Sequence, residues 1–392
     1  MIEHRRPSVR FVTEAGVIMT GFPPPARRRH LPWMGFSTRM FSVLRLIGWS
    51  SHEAAHGSGP SGILASQRRC GEREGGERCQ MTDPEIVVRG GPATDRSGLR
   101  DPSADRAVSV RAGRFHTIYD PSAGESQRWY INDHTIIRDG SGRWHLFGIT
   151  HPEPADPFDE IEFAHASADD LHGPWTKHPP ALVVDRDHGE THLWAPYVIR
   201  ADGRYHMFYA GGGDDRTAAA ICVATSDDLF EWTREPAGPV FRDGYDARDP
   251  MVAWIDGRWV MYYAATSSPS GGNYVVAYRT STDLRTWSER RIAFTDPTSG
   301  TEAGNTESPF VLRYNGSWYL FIGPRPDYVG TDVFAGDDPY HFGIDDRVGH
   351  IAAHAAEVID DGDLWITSCG WGQGGVSLAP LEIGRTPPKT VL

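Results

Sequence analysis

Short apolar runs alternate with turn residues at a regular interval over most of the chain after about residue 125. In each of five units, an apolar run is followed by a glycine and then by a second, aromatic-rich apolar run. The five glycine-led segments are 142–147, 203–208, 257–262, 316–321 and 362–367, at intervals of 61, 54, 59 and 46 residues. Two apolar runs joined by a tight glycine turn are typical of a β-hairpin, so the pattern predicts five hairpins.

A second motif recurs later in three of the units, in phase with the predicted hairpins. It contains a serine, an Asp-Leu pair and then a tryptophan, in segments 167–175, 226–232 and 281–287. Alternating apolar residues precede each copy, so the motif is expected to connect a third strand to a fourth. Four strands in each of five units predict an all-β fold, a five-bladed β-propeller of four-stranded blades around a central channel. A β-sandwich with coincidental spacing is the alternative.

Three acidic residues fall at nearly the same place in their units, where the first strand of the hairpin begins. Asp133 and Glu307 each lie nine residues before the repeat glycine, and Asp249 lies eight before it. In the other two units, His354 and Trp194 lie near the equivalent position. If these strands line a channel, the three carboxylates gather at one end of it and repel one another. Such a cluster costs stability and usually marks a functional site.

Glycoside hydrolysis is the chemistry that this set of acids favours. One carboxylic acid with a raised pKa protonates the leaving oxygen, while a second carboxylate activates water or attacks the anomeric carbon. A third acid keeps the pKa of the proton donor high or binds a sugar hydroxyl. Glu307, Asp133 and Asp249 are therefore the predicted catalytic residues.

Charge and composition divide the 392-residue chain, whose formal net charge is −13. Residues 1–80 contain 12 Arg and 6 Glu without Asp or Lys, a charge of +6, so residues 81–392 carry −19. We expect 1–80 to be a disordered leader or an over-extended translation start, 81–112 a linker or tail, and 113–385 the propeller domain. Four cysteines predict neither a disulfide framework nor a zinc site. A start at Met81 implies a cytoplasmic bacterial protein, because no clear signal peptide is visible.

Several motifs resemble the five-bladed-propeller glycosidases of glycoside hydrolase family 43 and the related family 32, over residues 125–383. The Asn-Asp pair at 132–133 resembles the motif that carries the family 32 nucleophile and the family 43 general base. Arg-Asp-Pro at 248–250 resembles the motif of the transition-state stabiliser, and Thr-Glu-Ser-Pro-Phe at 306–310 resembles the strand of the general acid. Trp-Ala-Pro at 194–196 matches family 43, whereas Ser308 stands where family 32 has cysteine.

The resemblance implies that Glu307 is the general acid, Asp133 the base or nucleophile and Asp249 the stabiliser. It implies fructofuranosides or arabinofuranosides as substrates, with xylosides next; retaining or inverting chemistry stays open. The candidate substrate-binding residues are Trp129, Asn132, His192, Trp194, Arg248, His354 and Trp371.

The expected partner is an oligosaccharide or small glycoside. Net negative charge and the absence of an apolar run of about 18 residues argue against nucleic acid and membrane partners. No cofactor is expected to be required, although a structural calcium ion in the channel, with His354 as a possible ligand, is left open. Two alternatives remain. One is a glycoside phosphorylase, which needs a cationic cluster that Arg248 and Arg313 would have to supply; the other is a non-catalytic carbohydrate-binding propeller.

Overall fold

A computed structural model describes residues 108–385 apart from 214, 216–218, 245–246 and 302–303. The predicted leader at 1–80 and most of the predicted linker lie outside these residues. Within them the fold is all-β, with a single 3₁₀ turn at Arg186–His188. No helix in the described part of the chain has the length and apolar character needed to span a bilayer.

The described chain begins with β1 (Val108–Ala112) and β2 (His116–Tyr119). These strands belong to a sheet completed by the last strands of the chain. β1 was expected to be linker, because the surrounding sequence is rich in Gly, Asp and Ser. Residues 108–112 form a strand instead, in which Val110 is buried and its neighbours are half-buried or exposed.

Three antiparallel sheets are each built from consecutive strands. The first contains β3 (Trp129–Arg138), β4 (Trp144–Pro152), β5 (Glu162–Ala168) and β6 (Thr176–Val183). The second contains β7 (His192–Ala201), β8 (Arg204–Gly212), β9 (Ala220–Ser226), β10 (Thr233–Arg234) and β11 (Phe241–Arg242). The third contains β12 (Arg248–Ile255), β13 (Arg258–Ser268), β14 (Gly271–Ser281) and β15 (Arg291–Gly300).

The remaining strands form one larger sheet in two parts. Its first part is β16 (Glu307–Tyr314), β17 (Ser317–Gly323), β18 (Thr331–Gly336) and β19 (Arg347–Ile351). Its second part is β20 (Val358–Asp360), β21 (Leu364–Ser368) and β22 (Val376–Arg385), with β1 and β2 paired to β22. The two parts are joined where β1 pairs in parallel with β19 at Val110 and Gly349.

All five predicted hairpins are present, as the pairs β3–β4, β7–β8, β12–β13, β16–β17 and β20–β21. Three of them close with two-residue turns at 202–203, 256–257 and 315–316. In these turns an Asp or Asn with φ of 49–50° precedes a Gly with φ of 78–87°. Two successive positive φ angles match the right-handed twist of the flanking strands, which explains why glycine recurs there.

Four apolar clusters join the sheets to one another. Phe147 and Met207 belong to a cluster between the first and second sheets, and Phe208 and Met261 to one between the second and third. A third cluster links the third sheet to both parts of the larger sheet. The fourth includes Leu146 and joins the last strands of the chain to the first sheet. The four clusters therefore form a closed circuit that runs from the first sheet through the other sheets and back to the first.

β3, β7, β12 and β16 contact one another in this order, and we call them the inner strands. Each has a bulge near its start, where pairing with the next strand shifts register. A non-glycine residue with positive φ lies at each bulge, and another precedes β20. These five bulge residues are Asp133 (35°), Ala195 (47°), Asp249 (56°), Ser308 (46°) and Ala355 (48°).

Candidate functional site

A single cavity is lined by residues from all five of these segments. The bulge residues Asp133, Ala195, Asp249, Ser308 and Ala355 all face it. A bulge re-aims a side chain relative to the regular alternation of a strand, which is how successive positions come to lie at one opening. The predicted carboxylates are therefore brought together by the backbone of the inner strands.

Ser308 connects two of the three predicted acids. Its hydroxyl donates to Asp133 Oδ1 at 2.6 Å, and its backbone N–H donates to Asp249 Oδ2 at 2.9 Å. The first distance is typical of a charge-assisted O–H···O⁻ bond. One residue on β16 therefore fixes the relative placement of carboxylates on β3 and β12.

Arg248 connects the second and third acids. Its Nη2 atom lies 2.9 Å from Glu307 Oε1, and its Nε atom lies 3.6 Å from Asp249 Oδ2. A buried guanidinium between two carboxyl groups reduces their mutual repulsion. Glu307 retains 20% of its side-chain surface, whereas Asp249 retains 5%. The carboxyl group of Glu307 is therefore the more accessible of the two to a bound substrate.

Burial controls the protonation of the cluster. It raises the pKa of Glu307 to about 8, with Arg248 opposing and the other two acids adding to the rise. Burial likewise raises the pKa of Asp249 to about 6, against the opposing charge of Arg248. The pKa of Asp133 is also raised by burial, while the Ser308 hydroxyl and Arg248 favour its ionised form. The arrangement places a proton donor for neutral pH, Glu307, near a buried carboxyl group, Asp133, that accepts a hydrogen bond from Ser308.

Aromatic rings stack beside the cluster on the side of the last strands. Tyr328 stacks on His354 with centroids 4.0 Å apart and on Trp371 with centroids 5.5 Å apart. His354 Nδ1 is hydrogen-bonded to the Tyr328 carbonyl at 2.9 Å, and burial lowers the pKa of His354 to about 4. The imidazole is therefore neutral near pH 7. Asn132 is tied to the same group, since the Tyr328 hydroxyl donates to its Oδ1 at 3.4 Å.

A second aromatic group surrounds the start of β7. His192 packs against Trp194 with ring centroids 3.9 Å apart and the rings tilted by 31°, and the Trp194 indole N–H donates to the Pro157 carbonyl at 3.0 Å. Phe158, which is 49% exposed, lies within 6.3 Å of both rings. Exposed aromatic faces of this kind are suited to stacking on apolar ligand surfaces.

The glycosyl hydrolases family 32 N-terminal domain matches residues 125–337, more than half of the chain. The chain belongs to this family. The expected relation to family 32 and family 43 glycosidases is therefore confirmed.

Curated relatives of this family 32 chain include arabinanases and a sucrose-phosphate hydrolase. Arabinan endo-1,5-alpha-L-arabinosidase A of Aspergillus niger is 28% identical over 224 residues, which cover 55% of this chain and 64% of the relative. Sucrose-6-phosphate hydrolase of Klebsiella pneumoniae is 30% identical over 164 residues, covering 40% of this chain and 34% of the relative. The chain thus spans less than two thirds of the length of the relatives it matches.

Two solved structures of other proteins are similar in fold to this chain. CoXyl43, a GH43 beta-xylosidase/alpha-arabinofuranosidase from a compost microbial metagenome, has a TM-score of 0.52 at 17% identity. The match covers 70% of this chain and 94% of that one. Sucrose-6-phosphate hydrolase from Lactobacillus gasseri has a TM-score of 0.53 at 17% identity, covering 68% and 63%.

In this family 32 chain, the bulges show which of the predicted site residues occupy equivalent positions, and these differ by one residue from the positions counted back from the repeat glycines. Asp133 and Asp249 are bulge residues themselves, whereas Glu307 and His354 each lie one position before the bulge residue. The position before the bulge therefore carries the five predicted side chains Asn132, Trp194, Arg248, Glu307 and His354.

One predicted residue contacts a different region. Trp129, at the start of β3, accepts a cation–π contact from Lys177 at 5.5 Å, and its backbone is bonded to Ser122. No contact found among the described residues joins Trp129 to the carboxylates.

The described residues offer no ready-made metal site. A calcium ion takes six to eight oxygen ligands. Over the described parts of 108–385, no group of three or more His, Cys, Asp or Glu side chains is arranged to hold a metal ion. His354 already uses Nδ1 in its bond with Tyr328.

Three residues of the site were not predicted from the sequence. Ser308 was noted only as a departure from family 32, and Tyr328 was not considered. The third is Glu160, between β4 and β5, whose Oε1 accepts from the Tyr130 hydroxyl at 2.8 Å and from Trp371 Nε1 at 2.9 Å. Tyr328 and Glu160 lie in loops outside the repeated motifs, so their spacing carried no signal.

Proposed function

We propose that this chain is a glycoside hydrolase that cleaves furanosides or xylosides, with Glu307 as general acid, Asp133 as base or nucleophile and Asp249 as stabiliser. The observation that carries the proposal is the pair of carboxyl groups, Glu307 and Asp133, that Arg248, Asp249 and Ser308 connect. Glu307 is partly exposed with a pKa raised to about 8, while Asp133 accepts a 2.6 Å hydrogen bond from Ser308. Burial raises the pKa of both groups, but Asp133 also accepts a hydrogen bond that favours its ionised form, which suits Glu307 to the acid role and Asp133 to the base role.

In this mechanism Glu307 donates its proton to the glycosidic oxygen as the bond to the anomeric carbon breaks. The developing positive charge on the sugar is met by Asp133, which either bonds to the anomeric carbon or takes a proton from an attacking water. After direct attack, Glu307 recovers a proton from the water that hydrolyses the intermediate. Asp249, held by the Ser308 N–H and Arg248, stabilises the positive charge without bonding to the sugar.

The proposed architecture is a five-bladed propeller of four-stranded blades over 113–385, with β1 extending its start to Val108. The closed circuit of apolar clusters supports a ring of sheets. Further support comes from the five bulge residues at one cavity, one from each repeat unit. In this architecture the larger sheet counts as two blades, and β22 with β1 and β2 completes the last one.

The proposed substrate is an oligosaccharide rather than a nucleic acid or a membrane surface. The relatives named as arabinan endo-1,5-alpha-L-arabinosidases support arabinofuranosyl linkages, and a solved neighbour holds xylotriose. The aromatic side chains beside the carboxylates support stacking on sugar rings, since each sugar has an apolar C–H face.

Turnover of 4-nitrophenyl furanosides and of linear α-1,5-arabino- and xylo-oligosaccharides tests the proposal. Glu307→Gln should lower kcat on oligosaccharides by about 100-fold or more. The loss on nitrophenyl glycosides should be smaller, because nitrophenolate leaves without protonation. Glu190→Gln is the control, since Glu190 is a buried carboxylate held by Tyr209 and Arg234 in the second sheet.

The outcomes separate the proposed function from its alternatives. Full activity of Glu307→Gln on oligosaccharides refutes the acid assignment. Turnover only with added phosphate identifies a phosphorylase, although Arg248 is engaged with two acids and Arg313 lies 5.6 Å over the Trp318 ring. Sugar binding without turnover by the wild-type chain identifies a carbohydrate-binding propeller.

A further inference from the structure

Glu160 is a buried carboxyl group beside the site that the proposed reaction does not use. It is 1% exposed and lies between β4 and β5. No ion pair joins it to a lysine or arginine within the described residues. A carboxyl group taken out of water without a cation costs stability, and a leucine there would avoid that cost. This placement points to a functional reason for an acid at position 160.

The donors to Glu160 are aromatic and come from separate segments. The Tyr130 hydroxyl and the Trp371 indole N–H both donate to Oε1, at 2.8 and 2.9 Å. Tyr130 lies on β3, and Trp371 lies between β21 and β22. The Glu160 side chain therefore ties an aromatic residue of the first sheet to one beside the last strands.

Trp371 belongs to the aromatic surroundings of the carboxylate cluster. It is 36% exposed and is stacked on Tyr328, which is itself stacked on His354. The backbone of Glu160 is also fixed, since its carbonyl accepts from the Leu193 N–H at 2.9 Å. Fixing the N–H edge of the Trp371 indole fixes the direction in which its ring face is presented.

We propose that Glu160 is a positioning residue that holds Trp371 as one wall of an extended substrate cleft, and that it thereby favours oligosaccharides over single glycosides. This rests on the proposed function and adds a specificity determinant to it. A ring held before the ligand arrives loses less conformational entropy on binding, so the gain is in affinity rather than in the chemical step. A sugar chain long enough to reach the Trp371 indole benefits most.

Calorimetry in the Glu307→Gln background separates binding from turnover. With xylotriose and α-1,5-arabinotriose as probes, Glu160→Leu should weaken trisaccharide binding by about tenfold or more, as expected when a buried acceptor is lost. In the active chain the same change should raise KM for the trisaccharides while kcat falls less than about threefold. KM for a 4-nitrophenyl monoglycoside should change less. Glu160→Gln keeps an acceptor oxygen for both donors and should restore most of the affinity.

A double-mutant cycle with Trp371→Phe tests the link directly, because phenylalanine keeps an aromatic ring but lacks the N–H donor. If Glu160 acts through Trp371, the two changes together should weaken binding no more than Glu160→Leu alone. Glu190→Gln is the stability control and should leave trisaccharide affinity unchanged.

The results that overturn the proposal are distinct from those that overturn the proposed function. Unchanged trisaccharide affinity in Glu160→Leu, or fully additive losses with Trp371→Phe, refutes the positioning role. A large fall in kcat with unchanged KM places Glu160 in the chemical step instead. A wild-type chain that neither binds nor cleaves any probe overturns the proposed function, and this proposal with it.

Discussion

Removing the Ser308 hydroxyl should move the acid limb of the pH–rate profile towards higher pH. The hydroxyl donates to Asp133 Oδ1 at 2.6 Å in a partly buried site, and a hydrogen bond to a charged group contributes about 1.5–3 kcal/mol. Since 1.36 kcal/mol corresponds to about one pKa unit, Ser308→Ala should raise the pKa of Asp133 by about 1–2 units. Asp133 must be ionised to act as base or nucleophile, so activity is lost on the acidic side and recovered at higher pH.

The measurement is kcat/KM for a 4-nitrophenyl arabinofuranoside from about pH 4 to 9, where the acid limb reports on the free enzyme. The backbone N–H that binds Asp249 is kept in Ser308→Ala, so the plateau should fall much less than the acid side. Ser281→Ala is the matched control, because Ser281 donates to Asp283 at 3.0 Å in a turn after β14. An acid limb that stays in place in Ser308→Ala, or moves equally in Ser281→Ala, refutes the reasoning.

Two further predictions concern stability and pH. Burial lowers the pKa of His165 to about 3, and it also lowers those of its neighbours His145 and His178. The unfolded chain therefore binds more protons than the folded chain between about pH 6.5 and 3, so stability decreases as the pH is lowered through this range. His165→Gln should reduce the decrease in the free energy of unfolding between pH 7 and pH 5 by about 2 kcal/mol, measured by urea unfolding. An unchanged decrease contradicts this prediction. Burial raises the pKa of Glu357 to about 8, so stability falls as pH rises from about 4.5 to 8. Glu357→Gln, which keeps an acceptor for the Ile136 N–H, should raise Tm more at pH 8 than at pH 5, and equal shifts at both pH values count against it.

The repeat could be read from the sequence because glycine and aromatic residues are dictated by local geometry. A two-residue turn with positive φ at both positions requires residues such as Asp-Gly or Asn-Gly. Counting back from those glycines located the acids, but only to within one residue. The hairpin after β3 has a five-residue connection at 139–143, whereas the next three have two-residue turns, so equal counts do not reach equivalent positions. Glu307 thus lies before its bulge residue, while Asp133 lies at the bulge.

The remaining site residues could not be found from periodicity, but the topology explains where they are. In an antiparallel sheet, the connection between the second and third strands lies at the end where the first strand begins. Glu160 follows β4, Tyr328 follows β17, and Trp371 follows β21, each in such a connection. The three loops therefore lie at the same end of the sheets as the bulges of the inner strands, although they are not part of the repeated sequence motifs. The Gly-Trp-Gly stretch around Trp371 was the one sequence signal of such a loop.

The bulge residues also have a thermodynamic consequence. Five non-glycine residues at equivalent places hold φ between 35° and 56°, a conformation that costs about 1 kcal/mol or more for each residue with a Cβ. Together this is several kcal/mol, a large fraction of the 5–15 kcal/mol by which domains are typically stable. Five of the ten non-glycine residues with positive φ in the described part of the chain lie around the cavity, and the others lie in turns or bends farther out. Substitutions that stabilise the protein by relaxing the backbone at the bulges are therefore the ones expected to disturb the site.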